Sequence, residues 1–166
     1  MMKFDSISIR PTVEADLDTI IAMECSDENT PYIRQWSREK HLEAITDKNI
    51  GHFVIQAQDD GRIIGYIILI GLENPDRAVE FKRIVVNEKG NGYGRAAVRF
   101  IKKYVFEELG FHRLWLEVLE NNERAYQLYK SEGFVDEGVH RESLRQGEKY
   151  LSLMVMSMLR HEYKGR

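Results

Sequence analysis

The segment that most constrains the fold is Val85-Val86-Asn87-Glu88-Lys89-Gly90-Asn91-Gly92-Tyr93-Gly94-Arg95. It sets glycines at 90, 92 and 94 between a β-branched stretch ending at Val86 and an amphipathic stretch beyond. A strand must turn into a helix there through a link nearly stripped of side chains. Past the link, Ala97, Val98, Ile101, Val105 and Leu109 recur at helical spacing, with Arg95, Arg99, Lys102 and Lys103 expected to look outward. Free backbone N–H groups and the positive end of the helix dipole make such a link an anion site, and phosphate is its usual guest. Lys89 and Arg95 flank it and suit charged oxygens.

Three phosphate-binding patterns compete. The dinucleotide pattern G-x-G-x-x-G fails because Arg95 stands where its third glycine belongs. The nucleoside-triphosphate loop fails because the chain has no Gly-Lys-Ser or Gly-Lys-Thr. A loop cradling the pyrophosphate of coenzyme A remains, against the plain alternative of a flexible glycine turn.

The rest of the chain places this loop within a larger order. A short strand at 6–9 stops at Pro11, and Thr12 is positioned to cap a helix running to Cys25. Val13, Leu17, Ile20 and Ile21 form that helix's inner face. A second helix covers 37–46, and strands at 52–58 and 62–71 flank the turn Asp59-Asp60-Gly61. Strand 78–86 enters the glycine loop, and its helix runs to Leu109. Strand 112–119, helix 122–132, a return strand beginning at Gly133-Phe134 and a last strand at 150–159 complete the order. This pattern makes a mixed α+β sheet, antiparallel in its first half.

Composition narrows the function. The 166 residues suit one domain over 1–166, with no repeat and no linker. A net charge of -3 argues against nucleic acid as a partner, and no apolar run reaches a membrane span. The N-terminus lacks the apolar segment of a secretory signal, and a single cysteine, Cys25, fits a reducing compartment, so a cytoplasmic location is expected. Cys25 reads as a small buried hydrophobe and Met154, Met156 and Met158 as core. The five histidines show no metal-ligand spacing, so no metal is expected. A homodimer is left open.

Lys89-x-x-Gly92-x-Gly94 followed by Asn122-x-x-Ala125-x-x-x-Tyr129-x-x-x-Gly133-Phe134 resembles the GNAT superfamily of N-acetyltransferases. The ending Leu128-Tyr129-Lys130-Ser131-Glu132-Gly133-Phe134 is most similar to the branch of spermidine and ribosomal-protein N-terminal acetyltransferases. The resemblance implies a mostly antiparallel sheet of six to seven strands, splayed in the middle and flanked by about four helices. It implies acetyl-CoA as co-substrate and, as acceptor, a small-molecule amine or a protein N-terminal amine. It also implies that Val85 and Val86 offer backbone groups to the pantetheine arm, and that Lys89, Gly90, Asn91, Gly92, Tyr93, Gly94 and Arg95 hold the pyrophosphate. Asn122 and Ala125 would contact the coenzyme arm, and Tyr129 would protonate the leaving thiolate.

The residues themselves agree with that chemistry. Asn122, Ala125, Tyr126 and Tyr129 share one helical face. Aminolysis of a thioester needs a neutral amine and a proton for sulfur, and a phenol is a competent donor. Taken alone, Tyr129 also reads as a core aromatic and Asn122 as a helix N-cap. For the base, Glu80 leads and Glu117 is second. Strand alternation sets Glu80, Lys82, Ile84 and Val86 on one face unless a bulge intervenes, and the competing role for Glu80 is a solvated partner of Lys82 or Arg83. Segments 25–38 and 140–150 are expected on the acceptor side, where Asp27 and Glu28 either suit a cationic acceptor or are solvated surface. The reading is an acetyl-CoA:amine N-acetyltransferase. Its alternative is a catalytically silent coenzyme A-binding regulatory module, which would have no need of a proton donor at sulfur.

Overall fold

Hydrophobic alternation along the strands buries two faces of one sheet, and the computed structural model describes residues 2–4 and 6–165 of that arrangement. The strands are β1 (Met2–Phe4), β2 (Ile7–Pro11), β3 (Ile50–Ala57), β4 (Ile63–Ile70), β5 (Ala78–Val86), β6 (Arg113–Leu119), β7 (Val135–Gln146) and β8 (Lys149–Leu159). They form an eight-stranded sheet ordered β1-β2-β3-β4-β5-β6-β8-β7. The strand beyond the expected six to seven is the three-residue β1, too short for its sequence pattern to announce it. Helices α1 (Leu17–Glu24) and α2 (Arg38–Thr46) cover one face, where Leu17, Ile20, Val54, Tyr66, Ile68 and Val85 pack. Helices α3 (Tyr93–Lys103) and α4 (Glu123–Ser131) cover the other, where Phe81, Ala97, Ile101, Leu116, Tyr129 and Met156 pack.

The pairing is antiparallel from β1 to β5, as expected. At the middle, β5 and β6 run parallel and pair only at Ala78–Arg113, Val79–Leu114 and Glu80–Trp115. Beyond Glu80 the two strands part. The edge of β5 from Phe81 to Val86 that faces β6 therefore has no partner strand, and the splay opens there.

Several local expectations are corrected. Thr12 does not cap a helix: its hydroxyl bonds His52 Nδ1 at 2.8 Å, and a 3-10 turn, Glu14–Asp16, precedes α1. The turn is held by Asp16, whose carboxylate accepts from the Val13 N–H at 2.9 Å and pairs with Arg10. Val13 is consequently exposed rather than on the inner face. Ser37 does cap α2, accepting from the Lys40 N–H at 3.2 Å. Lys102 points inward, not outward: only 3% exposed, its ammonium bonds Glu132 at 2.9 Å. Arg95 and Arg99 converge on the same carboxylate at 2.5 and 3.2 Å, tying α3 to the end of α4. Cys25 is exposed, because it lies one residue past Glu24 and so off the buried face of α1. Met156 and Met158 are core as expected.

A bulge on β5 matters most for the site. Arg83 pairs with Ile68 and Phe81 with Leu69, leaving Lys82 as the extra residue. The extra residue inverts the alternation. Val79 and Phe81 face the α3/α4 side before it, while Ile84 and Val86 do so after it. Glu80 therefore does not share a face with Ile84 and Val86.

Candidate active site

The splay between β5 and β6 is the mouth of a cavity of about 1140 Å³ that reaches both sides of the sheet. From the α3/α4 side it is lined by Val86, Lys89, Gly90, Gly92, Tyr93, Gly94 and Arg95, then by Asn122, Ala125 and Tyr129. From the α1/α2 side it is lined by Tyr32, Arg34, Trp36 and Lys40, with Glu80, Lys82, Arg83 and Glu117 at the sheet. Val85 lines it as well. Of the catalytic and coenzyme-binding residues expected from the sequence, Asn91 alone lies outside the lining. Its amide donates to the Glu88 carbonyl at 3.0 Å and so buttresses the loop.

The loop takes its shape from three left-handed residues, Glu88 (φ 56), Gly90 (φ 94) and Gly92 (φ 78). Glycine populates that region freely, whereas Glu88 is held there while Arg62 grips its carboxylate at 2.7 Å. Gly92 is the N-cap of α3. Its carbonyl accepts from the Ala96 N–H, while among the described residues the N–H groups of 91–95 have no backbone acceptor. Gly94 differs from Gly92. A Cβ there would meet only Leu128 Cδ2, at an ordinary 3.7 Å, so neither backbone nor packing demands a glycine. The guanidinium of Arg95 is bound to Glu132 and to Ser131 Oγ at 3.0 Å, whereas Lys89 and Arg124 line the cavity with no acidic partner among the described residues.

Asn122 is the N-cap of α4, its Oδ1 accepting from the Ala125 N–H at 3.3 Å, and it lines the cavity too. Tyr129 is packed as a core aromatic and also lines the cavity. Its ring packs edge-on against Phe81 and Phe134, at 5.8 and 5.7 Å between centroids. Its hydroxyl has no hydrogen-bond partner among the described residues. Every fully enclosed side-chain polar atom does have one, so this hydroxyl opens onto the cavity. Burial pushes the phenol pKa up, keeping it protonated well above neutrality.

Glu80 is 18% exposed, with Lys82 Nζ 3.6 Å away. Burial pushes its carboxyl above the ordinary value; Lys82 opposes the shift and Glu117 adds to it. Glu117 lies on the same side of the splay, 3.3 Å from His140 Nδ1. Asp27 and Glu28 are outside the cavity lining. Segment 140–150 contributes Leu144 to the wall, and Gln146 closes it by donating to the Pro31 carbonyl at 3.0 Å.

Sequence reasoning missed the buried polar hub behind this wall. Glu24, fully buried, accepts from Tyr66 at 2.7 Å, Arg83 at 2.9 Å and the Trp36 N–H at 3.1 Å, and is bonded to His41 at 2.8 Å. His41 is bonded in turn to His52 at 3.0 Å. Burial pushes the Glu24 carboxyl up, but the hydrogen bonds from His41 and Tyr66 outweigh it and hold the pKa below the ordinary value. Burial and the charge of His41 bring His52 down to about 4. The signal was present: Glu24 continues the apolar face of Leu17 and Ile20 at i+7. The two histidines are 11 residues apart in sequence and meet only through the fold. Among the described residues, no group of three His, Cys, Asp or Glu side chains is placed to hold a metal ion.

Known proteins share this architecture. The sequence profile of the acetyltransferase (GNAT) family matches residues 17–134. Spermidine N(1)-acetyltransferase of Escherichia coli (strain K12) is 27% identical over 169 residues, spanning 95% of this chain and 88% of that protein. The putative ribosomal N-acetyltransferase YdaF of Bacillus subtilis (strain 168) is 31% identical over 107 residues, spanning 64% of this chain and 58% of that one. Spermidine N-acetyltransferase from Vibrio cholerae, solved in complex with CoA and spermine, has the same fold with a TM-score of 0.86 at 24% identity, covering 95% of this chain and 98% of that one. The similarity read from the two motifs is thus shown along the chain, and the comparisons give no support to a silent regulatory module. The chain belongs to the acetyltransferase (GNAT) family and is an acetyl-CoA:amine N-acetyltransferase.

Proposed function

We propose that residues 1–166 form one catalytic domain in which the two ends of the cavity divide the work. The N–H groups of 91–95, with Lys89, hold the pyrophosphate of acetyl-CoA at the positive end of α3. Gly94 leaves room for it, which gives that glycine a reason that its backbone does not. The free edge of β5 at Val85 and Val86 pairs with the pantetheine arm, and Asn122 and Ala125 flank the arm from α4.

The amine arrives from the α1/α2 side. Glu80, its carboxylate raised by burial, takes the proton from the attacking amine, directly or through a water, with Glu117 beside it. The nitrogen bonds to the acetyl carbon, the C–S bond breaks, and Tyr129 delivers its phenolic proton to the departing thiolate. A small-molecule amine is favoured over a protein N-terminus by the relative named for spermidine. A cytoplasmic location fits the lone, exposed Cys25 thiol, and no helix among the described residues is long and apolar enough to cross a membrane.

The observation that carries this reading is the unpartnered Tyr129 hydroxyl opening onto the splay. Its test is free-thiol release from acetyl-CoA by purified protein. Release that requires an added primary amine is expected. Coenzyme A binding with no thiol release across amines of every charge type would overturn it.

A further inference from the structure

The charges on the α1/α2 wall are unequally compensated. Arg34, Lys40, Glu80, Lys82, Arg83 and Glu117 line it. Lys82 is near Glu80, Arg83 is held by the buried Glu24, and Glu117 faces His140. Arg34 and Lys40 have no acidic partner among the described residues, although both are anchored. The Arg34 carbonyl accepts from Arg83 Nη2 at 2.6 Å. Lys40 Nζ sits 4.4 Å above the Trp36 ring, and the Trp36 N–H is fixed on Glu24. The wall is therefore polar along its length, with carboxylates where β5 and β6 part and two unpaired cations on the α1–α2 connection and α2. Neither Asp27 and Glu28 before this segment nor Glu39 and Glu43 on α2 line it.

We infer that the acceptor is a small primary amine whose far end carries a carboxylate, received by Arg34 and Lys40. The inference rests on the acetyltransferase reading above and narrows its substrate. Like charges set opposite each other penalise the wrong partner, so a polyamine would place its second ammonium against the two cations. A carboxylate there completes both ends of the wall at once.

The test compares three acceptors of equal chain length, differing only at the end remote from the amine: δ-aminopentanoate, aminopentanol and pentanediamine. Spermidine and a short peptide with an acidic second residue serve as further arms. The wild-type protein should favour the aminopentanoate over the diamine by about tenfold or more in kcat/KM, mostly through KM. The preference should shrink as salt rises. Both cations are exposed, so the double variant Arg34→Glu, Lys40→Glu should keep its unfolding temperature, checked beside the kinetics, and should reverse the order. A wild-type preference for the diamine or spermidine, or an order unchanged in the double variant, would refute the inference. Transfer to the peptide alone would refute the small-molecule assignment. Coenzyme A binding with no transfer to any acceptor would refute the substrate class, whereas loss of coenzyme A binding itself would bring down the underlying reading as well.

Discussion

The hub around Glu24 and the cavity at the splay are both rich in polar groups, yet they use them in opposite ways. In the hub the polar groups converge on one buried carboxylate: Glu24 accepts from Tyr66, Arg83 and the Trp36 N–H and is bonded to His41. In the cavity the Tyr129 hydroxyl, the N–H groups of 91–95 and the cations Arg34, Lys40 and Lys89 have no acidic or backbone partner among the described residues. Burying a polar group is unfavourable unless it is bonded, so the hub has to be complete for the chain to fold. Groups at the cavity face solvent and can stay unpaired. The contrast separates side chains that hold the fold from those available to a ligand.

Breaking the hub should have the largest effect, and it should fall on stability. Glu24→Ala leaves Arg83 and His41 without their acceptor and should destabilise by about 3–5 kcal/mol in denaturant titration. Loss of less than about 1 kcal/mol would mean that the hub is not a structural unit.

The opposite pattern is expected at the cavity. Tyr129→Phe keeps the ring against Phe81 and Phe134 but removes the proposed proton donor, so kcat should fall roughly 10²-fold or more with melting temperature and coenzyme A affinity nearly unchanged. Near-normal turnover with a lowered melting temperature would move Tyr129 to the structural class.

Glu80 should show a smaller loss, about tenfold in kcat/KM for Glu80→Gln, because Glu117 stands beside it. The sign of its pH dependence follows from burial. A base must be deprotonated, and the Glu80 pKa is raised, so activity should fall with decreasing pH at a value above the ordinary carboxylate range. Substitution should move that acid limb. An identical profile in the variant would transfer the role to Glu117. At high pH no falling limb is expected through pH ~9, since burial keeps Tyr129 protonated.

At the loop, Gly94→Leu projects a side chain towards the proposed phosphate cradle from a backbone that tolerates one. Coenzyme A affinity should weaken by about tenfold, or ~1.4 kcal/mol, by calorimetric titration, with the helix intact. Gly92 is a poorer probe, since any side chain at φ 78 is strained whether or not a ligand binds. The smallest effect should come from Asn122→Ala. Loss of the α4 cap should cost about 1 kcal/mol of stability, and a rise in KM for acetyl-CoA beyond that would assign its amide a second job.

Local order was legible because it is written in near neighbours. The glycine spacing placed the start of α3, Ser37 the start of α2, and the alternation of 150–159 the buried Met156 and Met158. The motif residues were legible for a related reason: Asn122, Ala125 and Tyr129 need only helical spacing to share a face. Where the reading failed, the deciding contact was distant. Lys102 looked solvent-facing until Glu132, 30 residues on, was brought to it. Thr12 looked like a cap until His52 arrived from β3.

By itself, then, the sequence determined the order of elements from β2 onward, the glycine turn that starts α3 and the family, because each is written in local periodicity and in motif residues at fixed spacing. Tertiary structure decided the rest. The bulge at Lys82 set which side of the sheet Glu80 faces, and the parting of β5 and β6 opened the cavity. The fold also brought Arg34 and Lys40 to the α1/α2 side of its lining. These are outcomes of register and of charge pairing between strands and helices far apart in the chain, where one extra residue reverses a face and one distant carboxylate decides whether a cation is free.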